Sequence, residues 1–108
     1  MEQHKPSLLC QSDQGHLSVS HRGLAYAFTF KDIHLLFTAE EVDVFRRSLE
    51  NIEPTAWFST AEEAFVLFPI ARLNACVYLT QSEVQEIIGL LLAAPAMIKV
   101  HQRLLHRV

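Results

Sequence analysis

Apolar positions along the chain follow two periods, and the changes between them outline the elements. Leu24–Phe30 and Ile33–Phe37 are rich in aromatic and branched residues and are separated only by Lys31-Asp32. Such runs suit a half-buried pleated surface, and a tight break between them implies antiparallel pairing. After Thr38 the period lengthens. Val42, Phe45, Leu49 and Ile52 fall on one side of a helix of about 13 residues. Thr38 stands three residues before Glu41, the spacing of a capping box, in which the threonine oxygen accepts the N3 amide and the glutamate accepts the cap amide.

The same order returns downstream. Phe65–Ala71 and Ala75–Leu79 read as strands around Arg72–Asn74. Thr80 and Glu83 repeat the cap, and Val84, Ile87, Ile88 and Leu91 repeat the helical row. Residues 24–52 and 66–94 align without gaps at an offset of 42, with Thr38/Thr80, Glu41/Glu83, Val42/Val84 and Leu49/Leu91 identical. A further strand, Leu17–His21, is expected to lead in between Gly15 and Gly23. The expectation is a single α+β domain over residues 1–108. A duplicated strand–strand–helix unit would build one antiparallel sheet of four to five strands with two helices on one face. The link from Asn51 to Glu63 carries Pro54, Trp57 and Phe58, and its Thr60-Ala61-Glu62-Glu63 repeats the tetrapeptide at 38–41. That repeat is compatible with a brief helical turn.

The second helix departs from the first. The first keeps a polar face in Asp43, Arg46, Arg47 and Glu50. Between Glu86 and Lys99 the second carries no charge. A helix apolar all round must be covered all round. Ile87, Ile88, Leu90, Leu91, Leu92, Met97 and Ile98 are therefore expected at an interface with a second copy, a homodimer. Pro95 fits the first turn of a separate C-terminal helix, 95–108, because proline there sacrifices no hydrogen bond. On that helix Met97, Val100, Leu104, Leu105 and Val108 share one side, and Lys99, Arg103 and Arg107 line the other. The basic stripe reads as a solvated face.

Composition narrows the classes. The chain has 108 residues, half of them apolar, and a net charge of −3. That excludes a disordered chain and allows one ordinary domain with its own core. An acidic whole with a short basic tail argues against a nucleic-acid partner. No apolar run reaches the ~20 residues of a membrane span, and the first eleven residues hold no signal-peptide core. The two cysteines read as reduced thiols in a cytoplasm rather than a disulfide framework.

Chemistry is sparse. Cys10, Asp13, His16 and His21 are four zinc-competent side chains within twelve residues, the candidate metal site. They match no C-x-x-C or H-E-x-x-H spacing. His34 and Cys76 occupy equivalent strand positions at the 42-residue offset, and with Leu36 and Tyr78 they belong on the sheet face away from the helices. The three glycines form no phosphate-binding loop, and no G-x-S-x-G elbow is present. Cys10, Ile33–Thr38 with Glu41 and Val42, and Val77–Thr80 with Glu83 and Val84 carry a resemblance. The chain resembles a small bacterial family of uncharacterised proteins in which a cysteine-bearing N-terminal segment precedes strand pairs and capped helices. A C-x-x-C knuckle of that family would begin at Cys10, and Asp13 stands in place of its second cysteine. The resemblance implies no activity. The reading is a non-enzymatic, homodimeric interaction module, with a small zinc-binding domain or enzyme as the alternative.

Overall fold

The computed structural model describes residues 7–20, 25–70 and 73–105, with side chains described as far as residue 93. The order of elements is β1 (Ser7–Gln11), β2 (Gly15–Val19), β3 (Tyr26–Phe30), β4 (Ile33–Phe37), α1 (Ala39–Glu50), a 3-10 turn (Pro54–Ala56), β5 (Phe58–Ser59), β6 (Ala64–Ile70), β7 (Ala75–Thr80) and α2 (Gln81–Leu105). The protein is α+β, as its sequence periods imply.

The strands form two antiparallel sheets rather than one. β1-β2-β3-β4 is a four-stranded meander, and β5-β6-β7 is a separate three-stranded sheet. The single-sheet expectation fails because alternation identifies strands and their inner faces but not their lateral neighbours. β4 and β6 lie against one core without pairing. Leu17, Val19, Tyr26, Phe28, Leu35, Phe37, Val66, Phe68, Ile70 and Leu79 belong to the same buried cluster as Val42 and Leu49 of α1 and Val84, Ile87, Leu90 and Leu91 of α2. Phe45 of α1 links the sheets: its ring lies 5.4 Å from Phe28, 5.2 Å from Phe37 and 6.0 Å from Phe68.

β1 occupies a segment whose sequence carries no clear strand pattern. It pairs with β2 through Cys10↔Leu17 and Gln11↔His16, with an irregularity between Leu8 and Cys10. The Ser12–Gly15 turn joins them, closed by the Ser12 N–H donating to the Gly15 carbonyl at 2.8 Å. Gly15 is required here. A Cβ at that position would come within 2.7 Å of the Thr29 carbonyl oxygen and 2.8 Å of Phe30 Cδ1.

Both capping boxes form. The Thr38 N–H donates to Glu41 Oε1 at 2.9 Å while the Glu41 N–H donates to Thr38 Oγ1 at 3.2 Å, and Thr80 and Glu83 make the same two bonds at the same lengths. The copy of that tetrapeptide at 60–63 behaves differently. The Glu63 N–H still donates to Thr60 Oγ1, at 3.1 Å, but the Thr60 N–H donates to the Glu63 carbonyl and closes the β5–β6 hairpin. A threonine accepting an amide three residues on is thus common to a helix start and a turn. The next residues of the chain decide between them: Val42 and Phe45 at helical spacing, or Phe65, Val66 and Leu67 in alternation.

α2 is continuous through Pro95, and no separate helix begins there. The proline leaves one rung unmade, because it has no N–H for the Leu91 carbonyl. Ile87, Leu90 and Leu91 are at most 4% exposed and belong to this chain's own core, so they are not free for a subunit contact. The length of the uncharged run is a poor guide here: the packed turns of α2 are wrapped by β1, β2, β6, β7 and α1. Ile88 is half-buried and Leu92 is exposed, while the side chains of Met97 and Ile98 lie outside the described residues.

Candidate functional site: an aromatic sheet face

Alternation along β6 sends Val66, Phe68 and Ile70 into the core and Phe65, Leu67 and Pro69 outward. Register then fixes the rest of the outer face. Phe58 stands opposite Phe65, Tyr78 opposite Leu67, Cys76 opposite Pro69 and Thr80 opposite Phe65. The Phe58 and Phe65 rings stack at 5.3 Å and 23°, and Phe65 and Tyr78 at 4.5 Å and 18°. Phe58 is 53% exposed, Leu67 51% and Tyr78 59%. Three stacked rings at the surface make a contiguous apolar patch, which marks a docking site more often than a solvated face. The patch sits on a fixed support. The Ser82 hydroxyl at the start of α2 donates to Glu63 Oε1 at 2.7 Å, tying the β5–β6 turn to the helix.

The outer face of the four-stranded sheet has another character. Gln11, His16, Thr29 and His34 register across β1, β2, β3 and β4 as one polar row. Thr29 Oγ1 lies 3.3 Å from His34 Nδ1. A shallow depression of about 320 Å³ at the end of this row is lined by Asp13, Gln14, His16 and Thr29. Asp13 and His16 of the candidate metal set meet here, but Cys10 does not. Cys10 pairs with Leu17 and so faces the core, where its thiol donates to the Leu90 carbonyl at 3.5 Å. Burial raises that thiol's pKa, which favours the protonated form over the thiolate a metal needs. His21 lies outside the described residues. Among the described residues, no group of three or more His, Cys, Asp or Glu is placed to hold a metal ion. His34 and Cys76 sit on different sheets and do not form a pair.

Two further features lie away from the sheet faces. An apolar slot of about 270 Å³ lies between β4, α1 and β6, lined by Leu35, Phe37, Phe45, Phe68, Pro69 and Ile70, with Glu41 and Ser48 at its polar side. A polar clip joins the β1–β2 and β3–β4 turns of the four-stranded sheet to the first turns of α2. Glu86 accepts from the Ser12 hydroxyl at 2.5 Å, the Gln14 N–H at 2.8 Å and the Gln14 side-chain amide at 3.0 Å. Glu83, 8% exposed, pairs with Lys31. Lys31 holds a left-handed backbone, φ 52°, and its N–H donates to the Gln14 carbonyl at 3.0 Å. Burial raises the Glu83 carboxyl, but hydrogen bonds from Lys31 and Thr80 outweigh it and its pKa falls below the ordinary value. Glu86 follows the same balance, with Ser12 and Gln14 as the donors. Carboxylates so engaged tie these turns to the start of α2.

The aromatic face is half visible in the sequence. Cys76 and Tyr78 fall on an outer face by alternation, and the same rule applied to Phe65–Ile70 adds Phe65, Leu67 and Pro69. Phe58 gives no such signal, because β5 is two residues long. The clip gives none: Ser12, Gln14 and Lys31 meet their partners across 74, 72 and 52 residues.

A family model described as a family of unknown function, DUF6686, matches residues 1–105. No curated protein and no solved structure matches the chain.

Proposed function

Because the chain belongs to DUF6686, a family of unknown function, we propose a function from the surface itself: a non-enzymatic interaction module that docks an uncharged, apolar protein surface on the outer face of β5-β6-β7. The observation that carries this reading is the exposed stacked row Phe58–Phe65–Tyr78 with Leu67 beside it. Aromatic rows on sheets also serve single-stranded nucleic acid, but there they are combined with Lys and Arg that track the backbone. The outer-face residues of these three strands include no Lys or Arg, and the chain's net charge is −3. Protein is the better-matched partner.

The same reading takes 24–52 and 66–94 as two copies of one strand–strand–helix unit, supported by their matched capping boxes. It places the work of the molecule on the outer face of the second copy, completed by Phe58 and Phe65 from the segment just before it, and that of support on the first. The test is site-specific photo-crosslinking in the cells that make the protein. A photoreactive residue at position 67 or 78 is expected to capture protein, whereas one at exposed Gln85 is not. Equal or absent capture at all three positions would refute the docking role.

A further inference from the structure

Resting on that reading, we infer that the partner of the aromatic face is a second copy of this chain, seated face to face across a twofold axis.

An isologous contact requires a patch that fits itself. This face is graded in size. Phe58, Phe65 and Tyr78 crowd one end, Leu67 lies beside Tyr78, and the smaller Pro69–Cys76 pair forms the other end. A twofold axis across the strands, at the level of Leu67 and Tyr78, lays the bulky end of each copy over the lower end of the other. Two three-stranded sheets then pack as a six-stranded sandwich, with the roughly 10 Å spacing and aligned strands usual for such pairs.

Charge points the same way. In a self-pairing surface every charged group near the axis meets its own kind, which is costly. The seven outward residues, Phe58, Phe65, Leu67, Pro69, Cys76, Tyr78 and Thr80, are all uncharged in a chain of net charge −3. A partner recognised through opposite charge would leave acidic or basic groups on this patch.

Area sets the strength. Phe58 and Tyr78, at 53% and 59% exposure, each leave roughly 100 Å² to cover. With Leu67 and the other four residues, a copy contributes on the order of 500 Å², so the pair buries about 1,000 Å². That is the lower bound for a specific interface and belongs to the weak, concentration-dependent class.

The experiment is sedimentation velocity on the purified full chain across about 1–500 μM. The weight-average mass is expected to rise from 12.3 kDa toward twice that value within this range. Leu67→Asp and Tyr78→Asp, made separately, are each expected to weaken association at least tenfold, with unchanged circular dichroism. Val44→Asp, at an exposed apolar position of α1, is expected to leave association intact. Amide chemical shifts that move with dilution should cluster on residues 58, 65, 67, 76 and 78, a readout that needs no variant. A constant monomer mass overturns the inference, as does a dimer that Leu67→Asp and Tyr78→Asp leave untouched. A monomer in solution combined with crosslinks from positions 67 and 78 to other proteins removes the second copy and spares the docking role.

Discussion

Glu83→Gln isolates one charge at the junction of sheet and helix. The wild-type carboxylate does two things: Oε1 accepts the Thr80 N–H at 2.9 Å, and Oε2 pairs with Lys31. Glutamine keeps an oxygen for the cap, since Glu and Gln both close the box, and loses the charge. A hydrogen bond to an ionised group contributes about 1.5–3 kcal/mol and a neutral one about 0.5–1.5. The Lys31 side chain is half in water, which draws the difference toward the low end, about 1 kcal/mol. For a domain of this size that is a fall in Tm of roughly 4–8 °C. Glu41→Gln is the internal control. It sits in a capping box of identical lengths at a more exposed helix start, so it should cost less than half as much. The pH dependence has a definite sign. The Glu83 carboxyl is depressed in the folded chain, so the unfolded chain binds its proton first. Its contribution is complete above the ordinary glutamate value near 4.3 and is lost as pH falls through the depressed one. Thermal unfolding of wild type, Glu83→Gln and Glu41→Gln at pH 7 and at descending acid pH reads all three effects. A Glu83→Gln cost equal to that of Glu41→Gln, or one that persists undiminished in acid, would refute the reasoning.

Other substitutions test other parts of the fold. Gly15→Ala should destabilise by about 1–3 kcal/mol in urea unfolding, because its Cβ has no room against Thr29 and Phe30. Gly89→Ala should raise stability by up to about 1 kcal/mol, since no described atom lies within 4 Å of the added one and alanine favours a helix. Tyr26→Phe should be neutral or stabilising by about 1 kcal/mol in the same assay, because the buried Tyr26 hydroxyl has no hydrogen-bond partner among the described residues. Leu91→Ala, at a fully buried position of α2, should cost about 2–5 kcal/mol, a loss larger than any surface change produces.

Local rules locate most of the secondary structure. The two capping boxes are readable because their bonds span three residues, and β3, β4, β6 and β7 because alternation is a local property. Arrangement is not readable. Nothing in Ile33–Phe37 or Ala64–Ile70 says that β4 and β6 lie near one core unpaired. β1 escapes notice although Ser12-Asp13-Gln14-Gly15 is a recognisable turn, because the run before it is short and carries an irregularity at Leu8–Cys10. Pro95 reads as a helix start where the helix in fact runs on. As for the site, the outer face of β7 follows from alternation alone, whereas its aromatic density requires knowing that β5 places Phe58 against Phe65.

The clip between the hairpin tips and α2 bears on how the chain is made. Glu83 and Glu86 reach back to Lys31, Ser12 and Gln14, and the core faces of β1 and β2 are roofed by α2. A ribosome delivers Val19 first and Leu91 some 70 residues later, about 4–14 s at roughly 5–20 residues per second. Through that interval α1 already lies against Phe28 and Phe37, but β1 and β2 have no roof. Covering the core side of β1 and β2 therefore waits on α2 to emerge, and a chain cut before α2 displays apolar surface of both sheets to whatever chaperone or protease is nearest.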